Sequence, residues 1–276
     1  TGFAEEVPTL CLGYKGLLYV ELEVTCLRQD AHSSMAGMLP SAAWRLVGAL
    51  GILRTPDGRI AMPGFYDVVR PPIPAELATY VDRPDVDAQR MAMYGLEHYL
   101  DDLTGSALWE RASFAPTANI GGLSSGYTSE GMKTVLPAKA LAKVDFRLVP
   151  DQDPHTIAAA LRAHLDAQGY GDVEMKVLAA AEPDKTPLTE PFVQRVAAIA
   201  TAFGGQPPLV MPLAPPSLPL LAPLRRHVGL PGLSAPTNAT YMGGSAHAPN
   251  EHIRLEDLRR AVAFNAYLLR SLGERA

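Results

Sequence analysis

The sequence predicts an α/β chain in two parts: a ferredoxin-like layer of four antiparallel strands and two helices over residues 15–182, then half of a second α/β domain over 183–276. Three observations carry that prediction. Two stretches alternate apolar and polar residues with the period of a half-buried strand, each opens a β-α-β unit, and the chain changes character after the second unit.

In chain order, Leu18, Val20, Leu22, Val24 and Cys26 alternate with Tyr19, Glu21, Glu23 and Thr25, which gives a strand over 16–26 with one buried face. A helix is expected over about 40–50 with Trp44, Val47 and Leu50 on one side. The turn signal Thr55-Pro56-Asp57-Gly58 then leads to a short strand over 59–62. Residues 64–111 hold several prolines, an acidic stretch over 82–87 and a helix-like run over 88–103, and read as an insertion. A second alternating strand over 138–149 is followed by Asp153-Pro154, which caps a helix carrying Ile157, Leu161 and Leu165 and stopped by Gly169; Val173, Met175 and Val177 form the last strand. Beyond it come a helix over 190–203 ended by Gly204-Gly205, a proline-rich segment over 207–223, and an amphipathic helix with Leu255, Leu258, Val262 and Leu269.

With 276 residues, 47% hydrophobic and 19% charged, the chain can bury one sizeable core or two modest ones. A net charge of −5 without any Lys/Arg-rich run argues against nucleic acid or an anionic membrane as partner and for a small molecule or a protein. Cys11 and Cys26 are too few for a disulfide framework, which points to the cytoplasm. There is no secretory signal pattern and no long apolar run, and the start at Thr1 without methionine predicts a truncated or processed beginning.

Three places could carry chemistry. The glycine-rich loop over 243–251 holds His247, which reads either as a zinc ligand whose other ring nitrogen Glu251 or Asn250 would orient, or as a plain loop histidine. Asp30-Ala31-His32-Ser33-Ser34 follows a strand end, where His32 would donate to a developing oxyanion or simply pair with Asp30 at the surface. Gly122-Leu123-Ser124-Ser125-Gly126 has the G-x-S-x-G pattern of a serine-hydrolase elbow, which needs a helix straight after the serine; 127–133 has no helical period. His247 and His252 are five apart with Pro249 between them, unlike a zinc-binding helix, and His98, His155, His164 and His227 read as solvated or structural.

Taken together, the chain resembles the M20 metallopeptidases, most closely their dipeptidase branch. The resemblance rests on Tyr14-Lys15-Gly16-Leu17, Asp30-Ala31-His32-Ser33, Asp57-Gly58-Arg59-Ile60 with Pro63-Gly64, Lys133-Thr134-Val135-Leu136-Pro137, Phe146-Arg147-Leu148-Val149-Pro150 and the Ser245 to Glu251 loop, in the family's order and with closely matching spacings. It implies that 1–14 ends a catalytic-domain segment, that 15–182 is the lid and dimerisation domain, and that 183–276 is the C-terminal piece of the zinc-peptidase domain. It implies further that His247 is a zinc ligand, that His32 reaches in trans into a partner subunit's site, and that Thr134, Arg147 and Ser217 bind a substrate carboxylate, with Asn119 near the substrate carbonyl. The implied activity is dizinc hydrolysis of dipeptides or related amides with a free carboxylate.

Two departures qualify that implication. Pro215-Pro216-Ser217 stands where the dipeptidases have Gly-Gly-Ser, so backbone donors are lost. The family's H-x-D ligands, bridging aspartate, Glu-Glu pair and further acidic ligand would all precede Thr1, and Glu5-Glu6, only 26 residues before His32, reads as surface charge. One histidine cannot hold a catalytic zinc. The chain is therefore expected to be incomplete for catalysis, needing an N-terminal fragment. The alternative is a non-catalytic dimerisation or peptide-binding module.

Overall fold

A computed structural model describes residues 8–235, 244–245 and 247–274. Strand β1 (Thr9–Cys11) leads into the long β2 (Gly13–Thr25), then β3 (Ala31–His32) and helix α1 (Ala42–Gly51). The insertion carries α2 (Pro74–Leu77), α3 (Pro84–Tyr94) and α4 (Gly105–Phe114). After it come β4 (Thr117–Ser125), β5 (Val135–Leu136), β6 (Lys139–Leu148), α5 (Pro154–Ala167), β7 (Glu174–Ala181) and β8 (Asp184–Lys185). The last part holds α6 (Pro191–Gly204), β9 (Leu209–Met211), β10 (Ala214–Ser217), α7 (Leu221–Val228) and α8 (Leu255–Gly273). Among the described residues no helix is long and apolar enough to cross a membrane.

The main sheet runs β7-β2-β6-β4 with every pair antiparallel, and α1 and α5 cover one face, the expected ferredoxin-like layer. Its second strand is not where the sequence placed it. Residues 59–62 form only an isolated bridge, Arg54 to Ile60, and send Ile60 and Met62 into the core, whereas β4 on the far side of the insertion pairs with β6. A short alternation of buried and more exposed residues looks like a strand whether or not a neighbour is free to pair with it.

Alternation on β2 and β6 places Leu18, Val20, Leu22 and Val24 opposite Phe146, Val144, Ala142 and Ala140, and the side chains of this inner face pack on Leu46, Ile157, Leu161 and Phe65. Each such large side chain contributes about 1.5–3 kcal/mol by burial. Helix α1 is turned relative to expectation: Ser41 caps it, Ala42, Leu46 and Ala49 are buried, and Trp44 is 78% exposed with Val47 also outward. Both faces of α1 carry apolar residues, so periodicity alone could not choose between them. The same holds for α8, where Ala261 and Phe264 are buried and Leu255, Leu258, Val262 and Leu269 face solvent. The helix-like run over 88–103 divides: α3 stops at Gly95, whose φ of 64° is the left-handed cap glycine takes without strain, and a separate α4 follows.

Where β2 passes out of the layer it pairs with β10 (parallel) and β8 (antiparallel). Gly16 sits at that crossing, and a Cβ there would lie 2.7 Å from the Ala181 carbonyl oxygen and 2.6 Å from Pro183. A short parallel pair, β1 with β9, packs with α6 around Leu10, Leu12, Val193 and Val196 as a separate cluster. Glu5-Glu6, Gly243 and Ala246 lie outside the described residues.

Candidate functional site

The face of the main sheet opposite the helices carries polar residues brought into line by strand register. Arg147 on β6 is paired with Leu17 on β2 and Thr117 on β4; one row along, Asp145 is paired with Tyr19 and Asn119. Arg147 Nη1 donates to Ser217 Oγ at 2.9 Å, and Ser217 Oγ donates to the Gly16 carbonyl at 2.9 Å. Arg147 Nε lies 3.5 Å from Asp145 Oδ1, and Asn119 Nδ2 donates to Asp145 Oδ2 at 2.9 Å. Three of the sequence-predicted residues, Asn119, Arg147 and Ser217, thus converge on one half-buried patch. Ser217 has spent its only proton on Gly16, so in this arrangement it holds Arg147 rather than donating to a ligand.

Beneath the patch, Lys15 is 2% exposed, and its Nζ donates to the carbonyls of Ala112 at 2.7 Å and Ala115 at 2.5 Å, at the C-terminal end of α4. Burial, helped by the Arg147 charge, pulls this ammonium from its ordinary 10.5 down to about 8. Lys185 similarly meets Glu76 at 2.5 Å. Two lysines of the sheet strands therefore tie the insertion to the patch.

His32 and Thr134 form a second cluster. The β3–β5 pairing sets His32 beside Val135, Thr134 Oγ1 lies 3.2 Å from His32 Nε2, and Ser34 N donates to His32 Nδ1 at 3.2 Å. The ring is thereby fixed while remaining exposed. Among the described residues no hydrogen bond or ion pair joins this cluster to the Arg147 patch.

His247 is exposed and has a φ of 62° in a turn that also puts Ser245 and Asn250 at positive φ. Among the described residues no group of three or more His, Cys, Asp or Glu could hold a metal ion. The described residues therefore do not make a zinc centre by themselves. Ser124 lies inside β4, Ser124 pairs with Leu141 of β6, and no helix follows, so the elbow reading is ruled out. His164 is buried with Nε2 2.9 Å from the Ile52 carbonyl, a structural histidine.

Sequence reasoning passed over Asp145 and Lys15. The signal for Asp145 was present: it is two residues from Arg147 on an alternating strand and so shares its face. Lys15 entered only within the Tyr14-Lys15-Gly16-Leu17 motif, without a role, and nothing local announces that α4, 97 residues away, covers it.

Comparison with known proteins places this geometry. The family model described as "Peptidase dimerisation domain" matches residues 12–173. The Beta-Ala-His dipeptidase of Rattus norvegicus is 28% identical over 215 residues, 75% of this chain and 43% of that protein. The Cys-Gly metallodipeptidase DUG1 of Saccharomyces cerevisiae is 29% identical over 162 residues, covering 58% of this chain and 34% of its own length. Among solved structures, an M20 family metallo-carboxypeptidase from Sulfolobus solfataricus superposes with a TM-score of 0.86 at 30% identity over 96% of this chain and 60% of its own. The Saccharomyces cerevisiae di-peptidase Dug1p gives 0.85 at 20% identity over 99% and 57%, a likeness of fold. The chain thus spans less than half the length of these curated relatives. With the model matched across the ferredoxin-like layer and relatives named as metallodipeptidases, the chain belongs to the peptidase dimerisation domain family of the M20 metallopeptidases.

Proposed function

We propose that this chain comprises the end of a catalytic-domain segment (1–14), the lid and dimerisation domain (15–182) and the C-terminal part of the catalytic domain (183–276) of a cytoplasmic dizinc hydrolase of dipeptides or related amides with a free carboxylate. The observation that carries the reading is the Arg147 patch: a guanidinium held in a fixed plane on an open sheet face is suited to a planar carboxylate. Asn119 lies one row along, where an amide recognises a neighbouring carbonyl. The His32–Thr134 pair is exposed and separate from the patch, which suits action in trans on a homodimeric partner's substrate, as a donor to a developing oxyanion.

In the homodimer, the interface proposed is the open edge of β4, which pairs only with β6 among the described strands and exposes Ile120 and Leu123. The proposed zinc pair of the intact enzyme takes His247 from this chain and its other ligands from an N-terminal fragment. Incompleteness for catalysis follows from that division.

A second reading is a non-catalytic dimerisation or peptide-binding module, which the match of residues 12–173 to a dimerisation domain supports. Metal content and dipeptide hydrolysis, measured on the purified chain beside its intact mass, separate the two. About two zinc ions per chain with turnover, together with a co-purifying fragment, support the first reading. A pure chain with neither metal nor turnover that binds dipeptide or forms a dimer supports the second, and one that neither binds dipeptide nor dimerises sinks both.

A further inference from the structure

The residue at the centre of the patch is one that no motif pointed to. Asp145 stands between Tyr19 and Asn119 in the cross-strand row beside Arg147, with its side chain 15% exposed. Its two oxygens are divided: Oδ2 accepts from Asn119 Nδ2 at 2.9 Å and Oδ1 lies 3.5 Å from Arg147 Nε. Arg147 Nη1 is taken by Ser217 at 2.9 Å. A guanidinium is planar, so an ion pair at Nε and a hydrogen bond at Nη1 together restrain the orientation of the whole plane. What remains for a ligand is Nη2, which has no partner among the described residues, and the second Nη1 proton.

We infer that Asp145 is a positioning residue of this pocket: with Ser217 it holds the Arg147 plane so that Nη2 and the spare Nη1 proton meet a ligand's carboxylate as a fork. The inference rests on the proposal that the patch is a carboxylate site. It also sets position against charge, and the two predict opposite signs. Asp145 places a negative charge beside the arginine, so if charge alone mattered its removal would strengthen the binding of any anion. If orientation dominates, removal loosens the fork and weakens selection of a planar carboxylate.

The test measures binding of glycylglycine and of glycylglycinamide to the purified full chain by calorimetry, for wild type, Asp145→Asn, Ser217→Ala and the double variant. Wild type should prefer the acid to the amide. Each single variant should lower that preference by about tenfold, the loss of one of the two contacts that hold the guanidinium, the Ser217 hydrogen bond or the Asp145 ion pair. The double variant should lower it little further, because both residues hold one guanidinium. An acid-over-amide preference unchanged or raised in Asp145→Asn overturns the inference and leaves the carboxylate site standing. A wild type that shows no preference overturns the site, and the inference with it. A readout independent of any variant is the Arg147 Nε–H resonance of the free wild-type chain: slow exchange with water supports the anchoring, and a solvent-averaged signal overturns it even if Asp145→Asn fails to fold.

Discussion

Replacing Lys15 by methionine should change how the chain's stability depends on pH, and by a calculable amount. Lys15 is 2% exposed, so its charge is desolvated in the folded chain and free to hydrate in the unfolded one. The folded value of about 8 lies below the ordinary 10.5, so between those two values the unfolded chain binds more protons. Stability then rises with pH through that window, and the contribution is lost as pH falls through 8. At 1.36 kcal/mol per unit, the charged lysine costs about 3 kcal/mol at pH 7, most of which is recovered by pH 10. Methionine has no charge to bury. It does leave the carbonyls of Ala112 and Ala115 without their donor, but that cost does not vary with pH and enters only as an offset. Urea unfolding of both chains at intervals from pH 7 to 10 gives a difference curve in which the other titrating groups cancel. Wild type should gain about 2–3 kcal/mol on the variant across the range. Parallel curves would show that Lys15 is solvated in the folded chain and would refute the reasoning.

Because the Arg147 charge contributes to the depression, Arg147→Ala should raise the folded value of Lys15 and move the same difference curve to higher pH; an unmoved curve would mean that the two groups do not interact. Leu46→Ala, in the core, should cost about 2–5 kcal/mol in urea unfolding, whereas Trp44→Ala on the exposed side of α1 should cost about 0.5 kcal/mol. The reverse order would mean that α1 is rotated. Ile120→Lys combined with Leu123→Lys should convert a dimer to a monomer by light scattering, and an unchanged mass would remove the β4 edge from the interface.

How much of this was legible in the sequence follows from the range of the signals. The long strands β2 and β6 were plain because a period of two is written into consecutive residues. β4 was not, since Thr117–Ser125 contains two glycines at a register shift and has a poorly buried face, so its sequence alternates weakly. The faces of α1 and α8 were misjudged for one reason: each carries apolar residues on more than one side, and only the packing decides which side the sheet or α6 accepts. Arg147 and Ser217 were found through resemblance, while their joining through Gly16 needed the crossing of β2, β6 and β10 that no local pattern encodes.

That crossing also resolves the departure at Pro215-Pro216. Proline cannot donate to a ladder, and in a sheet it belongs on an edge or in a bulge. In the structure it does both. Among the described strands β10 is an edge strand, pairing Ala214 with Tyr14 and Ser217 with Lys15, so both prolines fall in the irregularity between two adjacent residues of β2. With φ fixed at each proline, the bulge has little freedom, and Ser217 emerges from it held against the Gly16 carbonyl. On the proposed reading the pocket does without backbone donors at this position and relies on Arg147, in contact with Ser217 on one side and Asp145 on the other. If that is why the prolines are tolerated, Pro215→Gly together with Pro216→Gly should leave the thermal unfolding of the chain within a few degrees of wild type. The same double change should weaken glycylglycine relative to its amide, because a freed Ser217 no longer fixes the guanidinium. A double variant that binds the acid as selectively as wild type would show that the stiff bulge has no part in the pocket.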